Sequence, residues 1–278
     1  MKKIASLLMV ACSIAACGTR NESAKTDEQP LQVFENVWQM KSGDVTVSWL
    51  PDRTPSNNQV SLFGDVPQEI IDSLGLQDGI PASMSAVLVE VGETVILFDT
   101  GLGSPESNLL PSLDSLGYKP EDIGLVYLTH LHGDHIGGLV KDGKPVFTNA
   151  KVLLSEVEYN AWMAMPEERS ARPKAYLDAY GDNLKLFKFG DTLEGDVKTF
   201  DASGHTPGHT VFEAGDFLIV GDIMHGVALQ MACPDLCPSY DMDPAKAIES
   251  RKKFISYAKD NGLTMVGMHF PVPGFVSQ

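Results

Sequence analysis

Three histidines and an aspartate lie within the six residues 130–135, HLHGDH, directly after the apolar segment LVYLT. The whole chain has only seven histidines, so a chance grouping of this kind is improbable. Neutral imidazoles and a carboxylate are ligands of divalent first-row metals such as zinc, and the alternative is a solvated histidine-rich loop. A fold that uses this motif must place it on a loop at the end of a strand, where further ligands can reach it.

Apolar runs with β-strand character alternate with helix-periodic segments from end to end, with no internal linker and no repeat. This pattern predicts a single domain of layered α/β architecture. The predicted strands are VTVSWL (45–50), MSAVLVEV (84–91), TVILFD (94–99), LVYLTH (125–130), KVLLS (151–155), VKTFDA, TVFEA, FLIVGD and LTMVGMH (263–269). Helices are predicted near 106–117, 156–164 and 168–180, and from Pro244 to Asn261.

The first sixteen residues have the pattern of an export signal. Lys2 and Lys3 precede an apolar run that is shorter than the roughly 20 residues needed to cross a bilayer. The run ends in IAAC, which resembles a bacterial lipoprotein box and implies cleavage before Cys17 and lipid attachment to its thiol. An ordinary secretory signal without lipidation is the alternative. We expect an exported protein that touches a membrane only through a lipid on Cys17 and faces the periplasm or cell exterior, with residues 17–34 as a polar tether and 35–278 as the folded domain.

The composition excludes nucleic acid as a partner. The chain has 21 Lys and Arg against 37 Asp and Glu. Removal of residues 1–16 leaves 19 basic residues and a formal charge of −18. An acidic surface of this kind repels the phosphate backbone.

Two cysteines remain after Cys12 of the signal and the acylated Cys17 are set aside. They are Cys233 and Cys237 in the segment CPDLC. In an exported chain this spacing favours a disulfide that closes a loop, and two buried thiols are the next alternative. Zinc binding is less favoured, because a second cysteine pair is missing.

Further candidate ligands follow other predicted strands. They lie in SGHTPGHT (203–210), in the Gly-Asp pair at 221–222, and at His269. A loop as short as 130–135 can direct some ligands to one side and some to the other, which predicts two metals side by side. Asp222 is best suited to lie between two cations, because its carboxylate has two oxygens and a negative charge.

These motifs, together with DTG at 99–101, resemble the metallo-β-lactamase fold superfamily in the right order over roughly 35–275. The resemblance implies an αββα sandwich. Carried over position by position, it implies that one metal is held by His130, His132 and His209, the other by Asp134, His135 and His269, with Asp222 bridging. His205 matches a histidine that is usually structural. Asp99 would orient the ligand loops by hydrogen bonds, or only form a turn before a glycine.

Local strings narrow the resemblance. GDVP (64–67), GDIMHGVALQ (221–230) and MHFPVPG (268–274) are similar to the methyl parathion hydrolase branch and its lactonase relatives. The resemblance to this branch implies that His225 lies at the mouth of the site and hydrogen-bonds the substrate. Alternatively, His225 is an ordinary surface or core histidine. Candidates for an apolar substrate pocket are Phe63, Leu229, Met231 and Phe270.

The same branch leaves two further expectations. Its members usually continue into one more edge strand after the segment that here reads MHFPVPGF, so the C-terminal edge is either truncated or covered differently. A homodimer is expected only from the resemblance.

The expected cofactors are two divalent ions, zinc first, although this ligand set also accepts Mn, Fe or Co. Two close cations lower the pKa of a shared water, so hydroxide can attack without a protein nucleophile, and Asp134 or His225 could move the proton.

We expect a hydrolase that opens lactones or cleaves esters of small neutral or apolar substrates, with phosphotriesters as a side activity. The alternatives are an organophosphate hydrolase and a non-catalytic metal- or ligand-binding lipoprotein. Thioester hydrolysis of the glyoxalase kind would require a basic patch, and no Lys/Arg cluster lies near the motifs in sequence.

Overall fold

The computed structural model describes residues 29–277. The strands in this part of the chain are β1 (Leu31–Phe34), β2 (Val37–Ser42), β3 (Val45–Pro51), β4 (Ser56–Asn58), β5 (Ile80–Ala82), β6 (Ser85–Val91), β7 (Thr94–Phe98), β8 (Leu125–Tyr127), β9 (Val140–Lys141), β10 (Lys144–Pro145), β11 (Lys151–Ser155), β12 (Leu184–Phe187), β13 (Thr192–Leu193), β14 (Val197–Asp201), β15 (Thr210–Ala214), β16 (Phe217–Gly221), β17 (Thr264–Gly267) and β18 (Phe275–Val276). The α-helices are α1 (Gln68–Leu74), α2 (Leu109–Ser115), α3 (Gly133–Ile136), α4 (Glu156–Met163), α5 (Glu167–Asp178), α6 (Val227–Ala232) and α7 (Pro244–Asn261).

Two large sheets pack face to face. The first has eight strands in the order β1-β2-β3-β6-β7-β8-β11-β12, and the second has six in the order β13 to β18. Val87 and Val89 of β6 point into the space between the sheets, where they pack with residues such as Phe212 and Ile219 of the second sheet. This period of two is the side-chain alternation that a strand imposes.

Helices cover the outer face of each sheet. Leu88 and Val126 point outward from the first sheet and pack with Leu113 of α2 and Trp162 of α4. On the second sheet Phe254 of α7 packs against the outward side chains of that sheet, among them Leu218 and Val220. The layers are therefore helix, sheet, sheet, helix, which confirms the predicted αββα sandwich.

The longest helix has the bounds that the sequence predicts. The Asp243 side chain accepts a hydrogen bond from the Lys246 backbone N–H at the start of α7, and Pro244 occupies the first turn. Gly262 ends the helix in a left-handed conformation, with φ of 60°.

The N-terminal boundary differs from the prediction. β1 begins at Leu31, inside the segment 17–34 predicted as a tether, and pairs antiparallel with β2. The alternating residues Leu31 and Val33 let this segment add a strand although its side chains are exposed. The predicted signal, Cys12 and the anchor at Cys17 lie outside the described residues. Within residues 29–277 no helix is long and apolar enough to cross a membrane.

At the C-terminal end, β18 pairs antiparallel with β17. A short strand formed after the segment MHFPVPG is thus the last strand at this edge of the sheet.

The predicted disulfide is absent from the structure, where Cys233 and Cys237 are both free thiols. Cys237 Sγ lies 3.5 Å from the carbonyl oxygen of Pro244 and 3.7 Å from Arg251 Nη1, so its thiol faces the start of α7. Cys233 caps the end of the short helix α6. The two thiols therefore belong to different local packing arrangements.

Candidate metal centre

The seven histidines of the chain come together where strands of both sheets end. The motif 130–135 follows β8 of the first sheet, and α3 carries Asp134 and His135. His205 and His209 lie between β14 and β15 of the second sheet. Asp222 directly follows β16, and His269 comes two residues after β17. Except for His132 and Asp134, which are partly exposed, the residues of this cluster are almost completely buried.

A first group of donor atoms consists of His130, His132, His205 and Asp222. His132 Nδ1 lies 3.0 Å from His130 Nε2 and 2.8 Å from His205 Nε2. Asp222 Oδ2 lies 3.2 Å from His205 Nε2 and 3.7 Å from His130 Nε2. One cation could contact all four side chains.

A second group consists of Asp134, His135 and His269, and it also contacts Asp222. Asp134 Oδ2 lies 3.6 Å from His135 Nε2 and 3.4 Å from His269 Nε2. Asp222 contributes both of its oxygens, because Oδ1 is 3.2 Å from His135 Nε2 and Oδ2 is 3.2 Å from His269 Nε2. Asp222 is therefore shared by the two groups, as expected from the sequence.

The chemistry of the donor set fits bound metal. The facing ring nitrogens of the first group repel one another unless a proton or a cation lies between them. His135 Nε2 and Asp222 Oδ1 are buried without a hydrogen-bond partner, which a cation would supply. Burial, reinforced by neighbouring histidines, lowers the pKa of His130 well below its ordinary value and that of His132 to about 3. Both rings are therefore neutral, as metal ligation requires.

Hydrogen bonds to the other ring nitrogen fix four of the histidines. His135 Nδ1 lies 2.7 Å from Asp99 Oδ2, which assigns Asp99 the orienting position that was one of its two predicted roles. Asp99 also accepts hydrogen bonds from the backbone N–H and the hydroxyl of Thr129. The remaining contacts are His130 Nδ1 to Thr129 Oγ1 (3.0 Å), His205 Nδ1 to Asp241 Oδ1 (2.9 Å) and His269 Nδ1 to the Ser83 carbonyl oxygen (2.8 Å). Such contacts set the tautomer and direct the free nitrogen toward a metal.

The structure exchanges the predicted roles of His205 and His209. His205 Nε2 belongs to the first group, whereas His209 Nε2 accepts a hydrogen bond from the backbone N–H of Asp222 at 2.9 Å. Gly221 makes this contact sterically feasible, because a Cβ at its position would lie 2.5 Å from His209 Nε2. His209 thus positions the backbone of the shared aspartate, and His205 stands in the donor group in which the resemblance places His209.

Two further buried acids support the centre and were missed by the sequence analysis. Glu158 of α4 accepts hydrogen bonds from the Leu131 N–H and Trp162 Nε1 on one oxygen, and from Thr206 Oγ1 and the Gly208 N–H on the other. Asp241 links His205 to the buried Arg251, whose Nη2 lies 3.2 Å from Asp241 Oδ2. Neither acid stands in a motif, so only the fold reveals them.

A cavity of about 700 Å³ opens onto the cluster. His132, Asp134, Asp222 and His225 line it, as does His269. His225 Nε2 lies 3.1 Å from Asp222 Oδ2, and its ring stacks on that of His269 with 4.7 Å between centroids. His225 is thus in the cavity wall, as the resemblance implied, although it is almost completely buried.

The wall of the cavity differs from the predicted apolar pocket. Phe63 and Leu229 are buried in one core cluster, and Phe270 and Met231 belong to another, so the cavity is lined by other residues. Its polar wall includes three arginines, Arg53, Arg169 and Arg172. No basic cluster is evident near the motifs in the sequence, because these residues are brought together only by the fold.

Known proteins resemble this chain in sequence and in structure. An N-acyl homoserine lactonase of Bacillus thuringiensis is 26% identical over 200 residues, which cover 62% of this chain and 75% of the relative. The crystal structure of the hydrolase AbOPH has a TM-score of 0.77 at 32% identity and covers 88% of this chain and 94% of its own. AidC, described as a dizinc quorum-quenching lactonase in complex with a product, has a TM-score of 0.78 at 28% identity, over 86% of this chain and 92% of its own.

The family comparison agrees with these relatives. The model of the metallo-beta-lactamase superfamily matches residues 80–269, a stretch that contains every donor residue of the two groups. A further relative is a probable metallo-hydrolase of Methanocaldococcus jannaschii, 29% identical over 168 residues that cover 59% of this chain and 68% of the relative. Since the family match spans more than half of the sequence, the chain belongs to the metallo-beta-lactamase superfamily.

Proposed function

We propose that this protein hydrolyses esters or lactones with the help of two divalent cations, zinc by preference. The observation that carries the proposal is the shared position of Asp222, whose two oxygens contact donor atoms of both groups. His130, His132 and His205 would hold one cation, and Asp134, His135 and His269 the other. When bound, such cations supply a Lewis acid and a water of lowered pKa.

We assign proton transfer and substrate binding to two side chains that line the cavity, Asp134 and His225. Asp134 is 24% exposed, whereas Asp222 is 2% exposed, so Asp134 is the more accessible of the two carboxylates that line the cavity. It can accept a proton there and pass it to the leaving group. His225 lines the cavity with Nε2 beside Asp222 Oδ2, and burial lowers the pKa of His225 to about 4. A neutral His225 ring can hydrogen-bond a carbonyl or leaving oxygen.

The relatives support the reaction class. Sequence relatives and structural neighbours include N-acyl homoserine lactonases, and lactone opening and ester cleavage break the same acyl–oxygen bond. We expect phosphotriester hydrolysis as a side activity. If the protein is instead mainly an organophosphate hydrolase, it should cleave phosphotriesters faster than esters and lactones. If it is a non-catalytic binding protein, it should bind metal without turnover.

The test is a set of initial rates on protein of measured metal content. The panel contains an acyl-homoserine lactone, a p-nitrophenyl ester, methyl parathion, nitrocefin and a glutathione thioester. We expect lactone or ester hydrolysis to dominate at about two metals per chain. Asp222→Ala should lower it by at least about 10³-fold, because it removes the ligand common to both groups, whereas Asp235→Ala, which removes an exposed acid paired with Lys252, should not. Faster cleavage of methyl parathion, or no turnover with both metals bound, would select one of the alternatives.

Export, lipid attachment at Cys17 and a homodimer also remain proposals. The first two rest on residues 1–17 of the sequence. Mass spectrometry of the mature N-terminus tests them, since an unmodified Cys17 or a different first residue would contradict lipidation.

A further inference from the structure

The arginines of this chain are concentrated at one cavity. The sequence contains five arginines, of which Arg20 precedes the described residues. Arg251 is fully buried and paired with Asp241. The other three, Arg53, Arg169 and Arg172, all line the cavity above the donor groups. The chain has 37 acidic and 21 basic residues, yet positive charge is gathered at this one cavity, where it attracts anions.

The guanidinium groups of two of these arginines contact aromatic rings. Arg169 and Arg172 are three residues apart on α5 and so share one face of the helix. The Arg169 guanidinium lies 5.7 Å from the ring centroid of Trp162, and that ring meets His132 edge to face. The Arg172 guanidinium lies 5.1 Å from the centroid of Tyr176. Cation–π contacts of this kind restrain a guanidinium without using its N–H donors.

Arg172 also reaches the ligand loop. Its Nη1 lies 3.5 Å from the point where a Cβ on Gly133 would stand, and Gly133 lies between His132 and Asp134. Arg53 reaches the same cavity from the loop after β3. All three arginines therefore line the cavity in which a substrate would meet Asp134 and Asp222.

The arginines do not serve as counter-ions of protein carboxylates. Among residues 29–277, the arginine with a carboxylate oxygen within 4.0 Å is Arg251, and the three cavity arginines have none. The hydrogen bond recorded for a cavity arginine runs from Arg169 Nη2 to Met242 Sδ at 3.8 Å. Apart from this weak contact with a thioether sulfur, their donors are free for a ligand, and two bound cations would neutralise Asp134 and Asp222 without them.

We propose that the cavity selects an ester or lactone that carries a second, anionic group, a carboxylate or a phosphate, and that Arg53, Arg169 and Arg172 bind this group while the reacting ester lies next to Asp222. The proposal rests on the proposed hydrolase function and replaces the neutral, apolar substrate expected from the sequence. Guanidinium groups suit it because they bind carboxylate and phosphate oxygens in a bidentate manner. A volume of about 700 Å³ accommodates a small molecule with both groups.

The test compares three p-nitrophenyl esters that share a leaving group. They are the butanoate, the glutarate half-ester with its free carboxylate, and the 4-phosphonobutanoate. We expect kcat/KM for at least one anionic ester to exceed that of the butanoate by about tenfold or more, through a lower KM. The carboxylate and phosphonate arms identify which anion is preferred. Raising NaCl from 0.05 to 0.5 M should reduce the advantage, because salt screens charges at a solvent-filled site.

Arginine variants test whether the cavity arginines cause the preference for anionic esters. Arg172→Met and Arg169→Met should each lower kcat/KM for the preferred anionic ester about tenfold, with a several-fold smaller loss on the butanoate. Arg172→Lys should restore only part of the loss, because an ammonium cannot bind in a bidentate manner. Lys174→Met is the matched control, since Lys174 lies on the same helix but is paired with Asp178 outside the cavity.

Three outcomes decide between this inference and the hydrolase proposal. Equal rates on neutral and anionic esters, or equal losses on both in the arginine variants, would overturn the inference and leave the hydrolase proposal intact. Failure to hydrolyse any of the three esters would count against the hydrolase proposal instead. In that case calorimetric titration of the metal-loaded protein with glutarate still tests the anion site. Glutarate should bind, and its binding should weaken about tenfold in Arg172→Met. No binding, or equal binding to this variant, would refute the anion site.

Discussion

His205 and His209 lie four residues apart on one loop, yet their Nε2 atoms contact different groups. Asp241 fixes His205 Nδ1, which directs Nε2 toward Asp222 Oδ2 and His132. His209 Nε2 instead accepts the Asp222 backbone N–H. One histidine is therefore a metal-ligand candidate, and the other sets the path of the chain that presents the shared carboxylate.

Metal content should separate these two roles. We expect His205→Ala to bind about one metal less per chain than the unmodified protein, because a donor of the first group is lost. His209→Gln keeps an acceptor near the Asp222 N–H, so it should retain both metals with an affinity lowered by about 10- to 100-fold. Metal titration with elemental analysis measures both effects. A variant pair in which His209→Gln loses the metal and His205→Ala retains it would restore the assignment implied by the resemblance.

At this scale the sequence predicts donor types better than it predicts which atom each donor uses. The spacing in HLHGDH and the position of Asp222 after an apolar run indicate a shared metal site without any structure. The choice between His205 and His209 depends on Asp241, which is 36 residues from His205 along the chain. Such a contact leaves no trace in local spacing.

Among the elements, α4 contacts both ligand loops through a single side chain. Glu158 accepts hydrogen bonds from Leu131, in the first ligand loop, and from Thr206 and Gly208, in the second. Burial raises the pKa of Glu158, while these hydrogen bonds oppose the shift. One buried carboxyl group therefore joins two loops that belong to different sheets.

Glu158→Gln should weaken both stability and metal binding. The amide NH₂ would face N–H donors that the carboxyl group now satisfies, and each buried unsatisfied group costs about 1–3 kcal/mol. We expect a loss of about 3 kcal/mol in the free energy of unfolding and a weaker metal affinity. Glu156→Gln is the control, because Glu156 is exposed in the first turn of the same helix. Denaturant unfolding with a fixed metal supply measures both, and equal effects of the two substitutions would contradict the role of Glu158.

The second ligand loop also depends on close contact with α7. Gly204 has φ of 139°, and a Cβ there would lie 2.2 Å from the backbone nitrogen of Ala247. Gly204→Ala should therefore cost more than about 2 kcal/mol and shift His205. Gly124→Ala should change stability by less than about 0.5 kcal/mol, because a Cβ at Gly124 meets no atom within 4 Å. Thermal unfolding of the two variants compares them, and a tolerated Gly204→Ala would refute the close packing.

Sequence signals predict elements where local chemistry determines them. The bounds of α7 follow from Asp243, Pro244 and Gly262, and the central strands follow from their apolar runs. β1 was missed because its four residues are all exposed and lack the buried face on which strand prediction depends. The pairing with β2 that creates this strand is a tertiary effect.

Over the whole molecule, charge and ligands are distributed in ways that composition does not show. The formal charge is −16, yet three unpaired arginines of the described chain line one cavity. Both sheets contribute donors, because His130 and His135 follow the first sheet, whereas His205, Asp222 and His269 follow strands of the second. Cations bound at this edge would therefore connect the two halves of the sandwich.

Metal removal should accordingly destabilise the whole domain and not only its active site. A ligand at about 1,000 times its Kd stabilises the native state by about 4 kcal/mol per site, and about 1 kcal/mol shifts Tm by 2–4 °C in a chain of 150–250 residues. We expect chelation to lower Tm by at least about 10 °C and added zinc to restore it, with a single unfolding transition in both states. Asp222→Ala should lose most of this metal-dependent increment because the variant lacks the carboxylate that both donor groups share. Calorimetry with and without chelator measures the increment. An unchanged Tm after verified metal removal would mean that the two sheets are held together by their apolar interface alone.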